Sequence, residues 1–283
     1  MKRWLMGLFC VLMAGAALAE GPAAVRKRVE ASMLVTGSVE IAPDGSVKGY
    51  SIDQSDKLPP PVVQLIQQNM PAWKFQFDSP QAAAVNVKMS LRLLARRVDD
   101  THDSISISAA QFGQDENVPG ESTSYKTRVQ PRYPELEVRS NVSGAVYLLL
   151  RIGRDGRVED AAAEQVNLAV YASDRDMKLF RDSLAKAALT AARQWTFNTP
   201  TIGKHVADPY WVARVPVNFE ITPKGTVKDV PYGQWQGYVP GPRQLVPWVE
   251  KEKLLTGAAD AVPDGSLYQL NQGLQLTTPL DGP

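Results

Sequence analysis

The chain has 283 residues, with 31 Lys and Arg against 30 Asp and Glu, one cysteine and two histidines. So even a balance lacks the basic excess of a nucleic-acid binder, and a single cysteine supplies neither an intramolecular disulfide nor a thiolate metal cluster. The length suits two small domains with connections, each held by a packed core.

Met1, Lys2 and Arg3 precede an apolar run from Trp4 to Leu18, and Ala17, Leu18 and Ala19 stand before Glu20. This charged, apolar, small-residue order predicts a cleavable secretory signal over 1–19. The run falls short of the roughly twenty residues needed to cross a hydrocarbon core; the alternative is an uncleaved inner-membrane anchor. Cys10 lies inside it as one more apolar residue, so the mature chain is expected to hold no cysteine.

A first unit is expected over 33–95. Val35, Gly37, Val39 and Ile41 alternate as a strand, and Asp44, Gly45, Ser46 and Val47 turn it back. Val62, Val63, Leu65 and Ile66 form a short helix whose end Pro71 interrupts, leading to Trp73 and Phe75. Val85, Val87, Met89, Leu91 and Leu93 alternate strictly in a final strand without proline, free to pair along both edges. Residues 96–128 are polar, with no sustained period beyond Ile105 and Ile107, and are expected to be a linker with at most one short strand.

The second unit, 130–221, is clearer. Val146, Leu148, Leu150 and Ile152 line one face of a strand. Asp155 and Gly156 then predict a hairpin in which both central residues take positive φ, with a return strand from Val158 towards Val166. From Asp174 the period becomes helical: Met177, Phe180, Leu184, Ala187, Ala188 and Ala191 share a face, Ser173 or Asp174 can cap the start, and the helix should end near Trp195. A last strand from Trp211 to Ile221 places Val215, Val217, Phe219 and Ile221 on one face. Pro216 cannot donate to a ladder, so its nitrogen must face an unpaired side or a bulge, and the strand is expected at an exposed edge. The tail, 222–283, is rich in Pro and Gly; its aromatics Tyr232, Trp235, Tyr238 and Trp248 suggest packing back on a domain, with Leu245, Val246, Trp248 and Val249 as docking residues.

Pro131, Tyr133, Pro134, Gly144, Asp155, Gly156, Arg157, Val158, Trp195, Phe197, Val215, Pro216, Val217 and Phe219 occur in an order and spacing that resembles the C-terminal domain of TonB-like energy transducers. The resemblance covers about ninety residues, and 33–95 repeats it in degenerate form, with an opening strand about four residues shorter and no Tyr-Pro start. It implies an α+β fold of two small domains, each a three-stranded antiparallel sheet with a helix on one face. Tyr133, Pro134, Gly144, Asp155, Gly156, Trp195 and Phe197 then form a structural signature, Trp195 and Phe197 sealing helix against sheet.

The resemblance also implies a periplasmic domain of a Gram-negative bacterium that binds the TonB box of outer-membrane receptors by adding it as a strand. The binding residues would be Val212, Arg214, Val215, Pro216, Val217, Asn218, Phe219 and Ile221. A soluble periplasmic protein-binding protein is expected, its partners TonB-dependent receptors or other envelope proteins, with a homodimer through exposed edges also open. A membrane-anchored transducer and an envelope scaffold, one that binds peptidoglycan for instance, are the alternatives. No catalytic, cofactor or metal site is expected: His102 and His205 stand alone, and Asp44 and Asp155 are turn residues.

Overall fold

The computed structural model describes residues 29–97, 103–113, 119–221, 231–249, 259–263, 265–270 and 274–280. The expected signal segment, Cys10 and His102 lie outside the described residues. The fold is α+β, built from antiparallel sheets with a helix on one face of each of the two larger ones. Among the described residues no helix is long and apolar enough to cross a membrane.

The first unit comprises β1 (Glu30–Ile41), β2 (Val47–Ile52), α1 (Pro60–Asn69), β3 (Phe75–Phe77), β4 (Val85–Arg97) and β5 (Asp103–Gly113). β1 pairs with β4, and β4 with β5. Helix α1 starts with Pro60, whose missing N–H costs nothing in the first turn. It buries Val62 and Ile66 against the sheet and gives way to a single 3-10 turn, Met70–Ala72, where Pro71 cannot continue the α pattern. Val35, Val39, Val87, Met89, Leu91, Trp73 and Phe75 complete one core.

Two expectations for this region are corrected. The opening strand is not shorter than its counterpart: β1 has 12 residues and β7 of the second unit 10, because β4 pairs with it from Ala31 to Ile41, with tail residues Gln236–Tyr238 on its other edge at Glu30–Ser32. Nor is 96–128 a plain linker, since the proline-free edge of β4 takes up the 11-residue β5 along its whole length.

The second unit comprises β6 (Ser124–Thr127), α2 (Glu135–Arg139), β7 (Gly144–Gly153), β8 (Val158–Leu168), α3 (Asp174–Ala192), β9 (Thr196–Asn198) and β10 (Tyr210–Phe219). Helix α3 begins after Ser173, whose hydroxyl accepts the Asp176 N–H at 3.2 Å, while Asp174 and Asp176 face the positive end of the helix dipole. It ends three residues before Trp195 and buries Met177, Leu184, Ala188, Ala191 and Ala192, lying over β8 and β7 on one face of the sheet.

The hairpin turn between β7 and β8 has three residues rather than two. Gly153 N–H donates to the Arg157 carbonyl and Gly156 N–H to the Gly153 carbonyl, and of Asp155 and Gly156 only the glycine has positive φ, 75°. This is a type I turn closed by a left-handed residue. A Cβ on Gly156 would meet the Phe197 carbonyl oxygen at 2.1 Å, and the Phe197 N–H donates to the Gly156 carbonyl at 2.8 Å. The same contact recurs between Gly45, φ 80°, and Phe75.

The tail is not a separate appendage. It contributes β11 (Gln236–Tyr238), β12 (Tyr268–Gln269) and β13 (Leu274–Leu276), which pair with β1, β10 and β3. Val239, directly after β11, exchanges backbone hydrogen bonds with Leu168 of β8, so one short run of tail touches both sheets. The sheets therefore become β11-β1-β4-β5, with β2 also on β1, and β12-β10-β7-β8. Val246 and Val249 pack on Leu149 and Val212, on the face of the second sheet opposite α3, and Trp248 is half-buried there. Leu245, the fourth expected docking residue, is instead exposed.

Gly156→Ala should lose about 2 kcal/mol or more in urea unfolding, because the residue has positive φ and the added methyl strikes backbone. Gly49→Ala, where a Cβ would meet only a Glu40 oxygen at 3.8 Å, should stay within about 0.5 kcal/mol. Equal losses would remove the turn from the account.

Candidate functional site

β10 has β7 along one edge, in register from Tyr210↔Gly153 to Phe219↔Gly144 without a bulge. On the other edge Ala213 and Arg214 pair with Gln269 and Tyr268, and the Leu270 N–H donates to the Val212 carbonyl at 2.9 Å. Peptide groups of alternate residues point to the same edge of a strand, so those of Val212, Arg214, Pro216 and Asn218 face β12. Pro216 is thus the first residue past β12 with no N–H to give, and the pairing stops before it. Among the described residues no strand pairs with β10 on that side beyond Arg214.

The expected binding residues are otherwise more enclosed than an exposed edge strand implies. Val212, Arg214, Val215, Pro216, Val217 and Phe219 are buried and only Asn218 is exposed. Val215, Val217 and Phe219 belong to the core under α3. Ile221 lies past the strand, half-buried, its N–H donating to Ser143 Oγ at 3.3 Å. The sheet is enclosed because the tail covers the face that a bare three-stranded sheet would leave to solvent.

That cover is fastened by charge. Arg214 Nε and Nη2 donate to the two carboxylate oxygens of Glu164, at 2.6 and 2.9 Å, and Arg243 of the tail donates through Nε at 2.8 Å and also forms an ion pair with it. Arg214 is 1% exposed and Glu164 0%. Glu164 is the extra residue of a bulge, where Tyr147 faces Gln165 and Leu148 faces Ala163. The bulge turns its side chain to the outer face, between β10 and the tail. Gln244 N–H donates to the Glu164 carbonyl, and the α3 side chain Arg181 donates to the carbonyls of Val166, Val239 and Pro240. The Tyr268 hydroxyl is pushed up from its ordinary pKa by burial, with the Arg214 charge opposing.

The sequence reading marked Arg214 but missed Glu164, Arg243 and Gln269. The signal in the sequence is slight: an acid in β8 and a base in β10 can meet only if both strands flank β7, an order that the pairing in the structure supplies. Gln269 carries no such signal, yet its side-chain oxygen accepts from both the N–H and the hydroxyl of Thr123.

The signature residues hold the frame. Tyr133 donates its hydroxyl to the Val142 carbonyl at 2.5 Å, and its ring meets Phe219 edge to face at 5.3 Å; burial raises its phenol pKa. Pro134 stands immediately before α2, and Gly144 begins β7 opposite Leu168 and Phe219. Asp155 Oδ1 accepts the Arg157 N–H at 3.0 Å, fixing the turn. Trp195 and Phe197 are buried in the core, and Trp195 Nε1 donates to the Val129 carbonyl at 2.7 Å. His205 sits alone with Asp208, Nδ1 to Oδ2 at 2.8 Å. Among the described residues no three His, Cys, Asp or Glu side chains gather as metal ligands.

Over 98 residues the chain is 35% identical to the protein TonB of Xanthomonas campestris pv. campestris. The match is the same for strain B100 and a second strain, and takes in 35% of this chain. The chain spans 38% of the length of these relatives. No family model matches it. No solved structure matches it.

Arg214→Met should lose about 3–5 kcal/mol in urea unfolding, since it leaves Glu164 buried with one partner fewer, and adding Glu164→Met should recover part of the loss. If Arg214→Met is within about 1 kcal/mol of wild type, the buried pair is not what holds the outer face.

Proposed function

We propose that the chain is a non-enzymatic, protein-binding component of the bacterial cell envelope, in which residues 130–221 act as a TonB C-terminal-type module. On this reading the signal segment directs it to the periplasm, and 33–95 is a degenerate second copy of the same module. The similarity to TonB and the matching order of strand, turn, helix, aromatic pair and strand support the assignment; the binding mode is an analogy carried by one observation on the chain itself. That observation is the β10 edge, which among the described residues is paired by the tail only as far as Arg214, with the peptide groups of alternate residues from Pro216 onward facing that side.

An extended partner segment would add to the sheet there, its N–H groups donating to the Pro216 and Asn218 carbonyls and one of its carbonyls accepting the Asn218 N–H. Main-chain bonds of this kind give affinity with little sequence demand, so specificity must come from side chains beside Asn218 and the rim of β12. Candidate partners are the TonB-box segments of outer-membrane receptors and other envelope proteins. Because β12 takes the first half of the edge, a partner longer than a few residues competes with the tail for Val212 to Arg214.

A photo-crosslinker at Asn218 in the full chain should capture a distinct envelope protein in cells, whereas one at Lys178, exposed on α3, should not. Identical products from both positions, or adducts of the chain with itself alone, would sink strand addition at this edge.

A further inference from the structure

β4 and β10 close their units in the same way, and the chain supplies an occupant for the second edge of each. On β4 it is the 11-residue β5, paired from Lys88 to Arg97. On β10 it is β12, two residues long, with Ala213↔Gln269, Arg214↔Tyr268 and the Leu270 N–H on the Val212 carbonyl.

β12 belongs to the second sheet, yet the tail on either side of it belongs to the first unit. Before it, Ala259, Ala261 and Val262 are buried, and two β4 side chains hold the backbone: Ser90 Oγ donates to the Ala261 carbonyl and Arg92 Nε to the Asp260 carbonyl, both at 2.7 Å. After it, β13 pairs with β3 from Leu274↔Phe77 to Leu276↔Phe75, and the Thr277 N–H donates to the Lys74 carbonyl at 2.8 Å. Leu274, Leu276 and Leu280 pack on the first core. Between these anchors, the second unit is held by the short ladder, by Thr123 on Gln269, and by the half-buried Leu267 and Leu270.

We infer that β12 is a strap that couples the β10 edge to the docking of the two units: a strand added along 212–218 displaces β12 and releases the second unit from it. The inference rests on strand addition at β10 as proposed above. Each edge of a strand carries one set of peptide groups, so β12 and an added strand cannot both bond Val212 and Arg214. The flanking anchors keep the displaced segment on the first unit, and what is lost is the link across the units. Val239 and Arg243 keep their bonds to Leu168 and Glu164, and β11 keeps its pairs with β1, so that run of tail becomes the pivot. The coupling is reciprocal: docking of the tail weakens partner binding by the factor by which the partner weakens docking. A two-residue ladder suits such an exchange, whereas β5 closes the equivalent edge of β4 along its length.

The peptide groups of Val212 and Arg214 bond across the ladder, which makes Ala213↔Gln269 a non-hydrogen-bonded pair. The Cα atoms of such a pair lie about 4.5 Å apart, within disulfide reach. In a Cys10→Ser background, Ala213→Cys with Gln269→Cys should, when oxidised, bind a synthetic TonB-box peptide about tenfold more weakly than when reduced. Leu270→Pro, which removes the donor to the Val212 carbonyl, should bind it about fivefold more tightly than wild type, the effect of one hydrogen bond. Spin labels at Lys48→Cys on β2 and Lys178→Cys on α3, both exposed, should report a new distance between the units once the peptide saturates the Cys10→Ser chain. Equal affinities of the oxidised and reduced forms, or an unchanged distance at saturation, would overturn the strap and leave strand addition standing. No binding by the reduced pair or by Leu270→Pro would remove strand addition and the strap with it. Should the cysteine pair fail to fold or to oxidise, Leu270→Pro binding no more tightly than wild type would overturn the inference.

Discussion

Glu164 is the group on which the tertiary arrangement turns. A carboxylate with no exposure needs compensation on every side, because removing an ion from water costs several kcal/mol even after relaxation. Its two partners come from opposite directions, Arg214 from β10 across the sheet and Arg243 from the tail. With Arg243 withdrawn, the outer face of the second sheet would open along with the Val246 and Val249 contacts beside it. The ion cluster thereby makes the tail part of the fold.

Once the tail is fixed there, the treatment of the sheet edges follows. Unpaired edges invite association with other chains, and tail segments cover part of those on β1, β8 and β10. Among the described residues the coverage of β10 ends at Arg214, before Pro216, which has no N–H to donate. The tail also connects the units. The Tyr238 hydroxyl lies between the Glu30 and Asp260 carboxylates, within reach of donating to either, Arg92 donates to the Asp260 carbonyl, and Gln269 accepts from Thr123.

Sequence reading located the elements whose signals are periodic and self-contained. Helix α3 was legible because Met177, Leu184, Ala188 and Ala191 recur on one face, and the turn at Gly156 because a left-handed position against a backbone oxygen admits little else. Strand β5 was not. Its Ser, Ala and Gln residues alternate weakly, and β4 imposes the extended form by offering a proline-free edge. The state of the β10 edge was half legible: Pro216 told which way its peptide faced, but the two residues of β12 carry no pattern that identifies a pairing partner some fifty positions away. Glu164 was hidden by the bulge, since a strict alternation through β8 would put it on the other face.

The most direct test of the account is amide hydrogen exchange along β10 in the full chain, with and without a synthetic TonB-box peptide. The Arg214 N–H, on the edge held by β12, should be protected in both states, whereas the Asn218 N–H should exchange freely alone and become protected when the peptide is bound. Peptide binding that leaves Asn218 exchanging as before would contradict strand addition at this edge.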